Sequence, residues 1–141
     1  MSSARPAIRT DVLVIFLVAY GAASLFHYSH NAEFLNEYPN MPAWLSRAQV
    51  YTAWLGVTAV GLVGYFLVRW RYQLTGLIVL AVYGLLGLDG LSHYAVAPPS
   101  AHTLTMNLTI WLEVATAVLL LTAVGSFMLQ LKRERHESVG R

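Results

Sequence analysis

Four stretches of this chain are each apolar for long enough to cross a lipid bilayer, and that limits the fold before any other feature is weighed. A spanning helix needs about 20 residues. Val12–His30, Ala48–Val68, Leu74–Tyr94 and Thr103–Leu131 reach or approach that length, and none contains a lysine or arginine. In hydrocarbon the backbone must satisfy its own polar groups, so such runs become helices. At 141 residues there is room for one domain. The sequence therefore predicts an all-α, integral-membrane four-helix bundle. Its last stretch is over-long and has to tilt or project beyond the membrane.

The basic residues orient the bundle. Arg5 and Arg9 precede the first stretch, Arg69 and Arg71 separate the second from the third, and Lys132, Arg133, Arg135 and Arg141 follow the fourth. Only Arg47 lies on the opposite side, so eight of the nine basic residues share one face. The positive-inside rule makes that face cytoplasmic. Both termini and a basic tail over 132–141 are then inside, and the 31–47 and 95–102 connections are outside. A bacterial inner membrane is the expected location. These cations are juxtamembrane and form no groove, so nucleic acid is not an expected partner. The first stretch is too long, and too polar at its far end, for a cleaved signal peptide. The absence of cysteine excludes disulfides, thiolate metal sites and cysteine nucleophiles.

Local signals divide the chain further. Thr10-Asp11 reads as a cap for the first helix. Ser46-Arg47-Ala48-Gln49 reads as a capping box for the second, with Trp44 as an interfacial anchor. The short 69–73 connection makes the second and third helices antiparallel neighbours. Pro98-Pro99-Ser100 separates the third from the fourth, and Tyr38-Pro39-Asn40-Met41-Pro42 reads as an ordered turn. Leu25-Phe26-His27-Tyr28 and Leu91-Ser92-His93-Tyr94 hint at a pseudo-repeat of two helical hairpins, which would set His27 opposite His93. Gly56, Gly61 and Gly64, and Gly84, Gly87 and Gly90, read as close-packing positions. Tyr51, Trp54, Thr58 and Tyr65 share one face of the second helix.

Ionisable residues inside these stretches are costly in lipid and usually mark function. His27 and His30 close the first stretch, Asp89 and His93 close the third, His102 opens the fourth, and Glu113 lies deep within it. Tyr20, Ser24, His27 and Asn31 fall on one helical face, as do His102, Met106, Thr109, Glu113 and Thr116. The stripes converge on the interior. Continuous helix would place Asp89 one turn from His93, as a ligand or as the carboxylate orienting its ring. His27, His30, Asp89, His93 and His102 are thus the candidate metal ligands, for zinc, copper or iron. Asp89 and Glu113 are the candidate acid–base groups. Without a cation at its depth, Glu113 needs a proton, a metal or a histidine as partner. Glu33 and Glu37 fall in an aqueous loop.

Asp89-x3-His93 followed by His102 resembles the copper-binding Asp-x3-His…His motif in the transmembrane C subunit of particulate methane and ammonia monooxygenases. The resemblance is confined to those three residues, and it implies copper among the candidate metals. Three functions remain open from sequence. One is a metal-dependent membrane enzyme acting on an apolar or lipid-like substrate. Another is a metal carrier, or a b-type haem protein with His27 and His93 as axial ligands. The third is an accessory subunit, in a homodimer or larger membrane complex, whose polar network holds no metal.

Overall fold

The computed structural model describes residues 10–139, all helices and connections. Arg5, Arg9 and Arg141, used above to orient the chain, lie outside the described residues. Helix α1 covers Thr10–Glu33, α2 Arg47–Arg69, α3 Gln73–Leu86, α4 His93–Val96 and α5 Leu104–Val139. Short 3₁₀ turns at Leu35–Glu37, Asp89–Ser92 and Pro99–Ala101 link them. Four segments are long and apolar enough to cross a membrane, the third being Gln73–Val96.

α1 packs on α2 and α5, and α3 packs on the same two, so the four long helices close into a ring. Leu13, Tyr20, Leu77, Leu80, Tyr83, Ala117, Leu120 and Val124 fill its centre. Ile15, Val18, Leu55, Leu62, Leu108 and Leu119 face outward, as expected where the surroundings are as apolar as the core. Ser46 and Gln49 form the expected capping box. The α2–α3 turn closes on Arg71, which takes a left-handed φ of 72°.

Glycine sets how closely α2 and α3 approach. A Cβ on Gly61 would lie 2.7 Å from the Tyr83 ring, and one on Gly64 2.7 Å from Leu80. One on Gly76 would lie 2.6 Å from the Val68 backbone nitrogen and 2.8 Å from the Gly64 carbonyl.

Three boundaries differ from the sequence reading. α1 continues to Glu33, so His27 sits inside the helix rather than at its end. The third segment is not one helix to Tyr94. It breaks after Leu86 and passes through Asp89–Ser92 before α4 begins at His93. Asp89 and His93 are therefore not neighbours on a continuous α-helix. Two glycines that admit close neighbours flank the break: a Cβ on Gly87 would meet the Tyr20 hydroxyl at 2.5 Å, and one on Gly90 would approach Glu113 Oε2 to 3.3 Å. Glycine allows that contact while weakening the helix. His102 does not open the fourth helix but ends the Pro99–Ala101 turn in extended conformation. The over-long last stretch continues through the basic residues, α5 reaching Val139.

Candidate functional site

The polar residues of three elements meet at the end of the bundle that carries the 34–46 and 97–103 connections, here called the loop end. α1 contributes Ser24, His27 and Asn31, and α5 contributes Thr109 and Glu113; all are buried. Their helical spacing turns each set inward. His93 from the start of α4 and His102 from the connection after it are each 7% exposed. The His27 and His93 ring centroids lie 5.4 Å apart, so the two histidines do face each other. His93 and His102 are 6.1 Å apart.

His27 is held from both sides. Its Nδ1 is 3.3 Å from Thr109 Oγ1, and its Nε2 is 3.7 Å from Glu113 Oε2. The Thr109 hydroxyl donates its one proton to the Met106 carbonyl at 2.9 Å. Its oxygen can then only accept, so His27 donates through Nδ1–H. That leaves the Nε2 lone pair facing a carboxyl oxygen. At 3.7 Å the two stand in ion-pair rather than hydrogen-bond range, and two bare acceptors would not attract, so the contact is favourable only when one of the two carries a proton. The Tyr20 and Ser24 hydroxyls are buried on the same side of α1 and close no hydrogen bond.

The other histidines are also engaged. Asn31 Nδ2 lies 3.3 Å from His93 Nε2. His102 Nδ1 donates to the Pro98 carbonyl at 3.1 Å, which leaves its buried Nε2 as an acceptor without a partner among the described residues. His30 Nδ1 is 2.9 Å from the Tyr38 hydroxyl. The Tyr38 ring stands between histidines, with centroids 5.1 Å from His93 and 5.9 Å from His30. Burial pushes the Tyr38 phenol up to about 12.

The expected metal centre is not formed. Among the described residues, no three histidine or carboxylate side chains are gathered so that they could hold one ion. Tyr38 takes space among His30, His93 and His102, while Asp89 is exposed in its 3₁₀ turn. Glu33 is tied to Arg47 and Tyr51, both at 2.9 Å. Glu37 is exposed.

His27, His93, Asp89 and Glu113 do share a cleft of about 370 Å³. Asn40, Gln49 and Ser92 add polar groups to its wall, and Leu45, Val50 and Ala53 add an apolar side. Asn40, at a left-handed φ of 57°, fixes the wall by donating to the Val96 carbonyl at 2.8 Å. Tyr38 and Thr109 were missed as site residues by the sequence reading. The available signal for Tyr38 was its place at the head of a proline-bracketed turn; for Thr109, its place on the Glu113 stripe.

No family model, no curated protein and no solved structure matches this chain.

Proposed function

We propose that this chain is a multi-pass membrane protein with a proton-transfer site in the outer half of its bundle. Glu113 and His27 form the acid–base pair. The cleft receives the polar head of an apolar-tailed molecule from the bilayer. The observation that carries this reading is the double constraint on His27, between Thr109 at 3.3 Å and Glu113 at 3.7 Å. A buried imidazole fixed at one nitrogen presents the other in a defined direction, as general acid–base chemistry requires. The cleft volume lies in the range of small-molecule sites. Its mixed wall suits a ligand with a hydrogen-bonding head and an aliphatic continuation. Asp89, at the exposed rim, is placed to meet the head group rather than the buried pair.

Infrared spectroscopy of the protein in nanodiscs tests the dyad. The expected spectrum contains a protonated-carboxyl C=O band that responds to pH, is absent in Glu113→Gln, and changes its titration in His27→Gln. A band indifferent to Glu113→Gln would overturn the reading. So would a stoichiometric transition metal lost together in His27→Ala, His93→Ala and His102→Ala, or a Soret absorbance in the purified protein.

The membrane orientation has its own test. The chain has no cysteine, so Asn36→Cys and Val139→Cys can each carry a single label. The expected result is labelling from opposite sides, Val139→Cys from the cytoplasm. Labelling from one side would refute the topology.

A further inference from the structure

We propose that the head group received by the cleft is a protonated amine, whose charge meets Asp89 and whose N–H groups meet an unpartnered acceptor on Asn31. The proposal rests on the cleft reading above and narrows its ligand from a polar-headed to a cationic amphiphile. Asp89 and Glu113 both line the cleft, and among the described residues no lysine or arginine does. The two carboxyl groups belong to neighbouring parts of the wall. Gly90, the residue after Asp89, is so close to Glu113 that a Cβ there would stand 3.3 Å from Oε2.

One charge in the cleft is left without a counterion. His27 and Glu113, 3.7 Å apart, carry one proton between them, so that pair is neutral in sum. His93 accepts from Asn31 Nδ2 at 3.3 Å through Nε2, which leaves its ring neutral. Arg47, the arginine of the loop end, is held by Glu33 at 2.9 Å and does not line the cleft. The ion pairs at the loop end join His27 to Glu113 and Arg47 to Glu33, and neither includes Asp89. Asp89 is exposed in its 3₁₀ turn, open to a ligand. Walls of low dielectric focus the field of such a charge into a cleft and concentrate ions of the opposite sign there.

A second, independent observation selects an amine among cations. Asn31 also lines the cleft. It is 8% exposed, and its Oδ1 has no hydrogen-bond partner among the described residues. A buried acceptor without a donor is unfavourable, and the amide nitrogen of Asn31 is already turned to His93. An ammonium N–H brings both the positive charge that Asp89 lacks and the donor that Asn31 lacks. A hydroxyl head brings a donor without the charge, a quaternary ammonium brings the charge without a donor, and a carboxylate head brings neither. The apolar side of the cleft, formed by Leu45, Val50 and Ala53, suits the first carbons of the tail.

The test is saturable binding of radiolabelled dodecylamine to the protein in phosphatidylcholine nanodiscs at neutral pH, with binding to empty discs subtracted. Unlabelled competitors with the same tail then read the head group. Dodecylamine is expected to displace the label at about 10-fold lower concentration than dodecyltrimethylammonium, dodecan-1-ol or dodecanoate. Asp89→Asn is expected to weaken dodecylamine binding by about 10-fold, and Asp89→Glu, which keeps the charge, to retain most of it. Glu37→Gln, which removes an exposed loop-end carboxylate outside the cleft, is expected to bind like the parent. Equal displacement by dodecan-1-ol or by dodecyltrimethylammonium overturns the amine. Parent-like binding in Asp89→Asn overturns it too, as does an equal loss in Glu37→Gln, which would reduce the attraction to surface charge. An amine preference in a protein without the Glu113 carboxyl band would uphold the amine site and overturn the dyad. The band without the preference would do the reverse.

Discussion

Glu113→Leu is expected to destabilise the bundle by about 2–3 kcal/mol, and His27→Leu combined with Glu113→Leu to recover most of that loss. The single substitution leaves His27 Nε2 buried and without its carboxyl partner. The imidazole is 3% exposed, so water reaches it only through the cleft that it lines. Removing both groups removes the demand for a proton between them, and leucine suits the apolar surroundings of Ile110, Val114 and Ala117. Reversible unfolding in mixed micelles would measure the double-mutant cycle. Two losses that simply add would show that the groups do not interact, and the acid–base pair would lose its basis.

Gly76→Ala is expected to cost about 1–3 kcal/mol, whereas Gly56→Ala and Gly125→Ala should be neutral or mildly stabilising. All three are helical glycines, so intrinsic propensity alone favours alanine everywhere. The difference lies in what the added methyl meets. At Gly76 it meets backbone, the Val68 nitrogen at 2.6 Å and the Gly64 carbonyl at 2.8 Å, and backbone cannot rotate away. At Gly56 and Gly125 it meets nothing within 4 Å. The α2–α3 pair must separate in the first case only. Equal stability of the three variants would mean that the two helices are not held at that distance.

The helical segments were legible because length and periodicity are local properties. The inward turn of Tyr20, Ser24, His27 and Asn31 followed from spacing, and all are buried. The Ser46–Gln49 capping box was legible for the same reason. What escaped was set by contacts between distant elements. Leu85 to Leu91 reads as uninterrupted helix until Tyr20 and Glu113 press on Gly87 and Gly90 from other helices. Four histidines and Asp89 read as a ligand set because sequence shows donor types and not their partners. In the fold the four histidines go to Thr109, Asn31, Tyr38 and the Pro98 carbonyl. Tyr38 stands against His93, 55 residues away in sequence, a separation no periodicity can bridge.

The connection between α1 and α2 has a consequence beyond closing the loop end. Asn40, Met41 and Pro42 line the cleft, and Tyr38, two residues before Asn40, bonds His30. One short stretch of chain thus touches both the cleft and His30, anchored by the Asn40–Val96 bond. A guest that displaces the Asn40 wall also pulls on the phenol. Thermodynamic reciprocity then links the two: whatever occupancy of the cleft does to the seating of Tyr38, the seating of Tyr38 does in equal measure to affinity for the guest. Cleft occupancy and the Tyr38–His30 contact would be two readings of a single conformational equilibrium, with Asn40 as its latch.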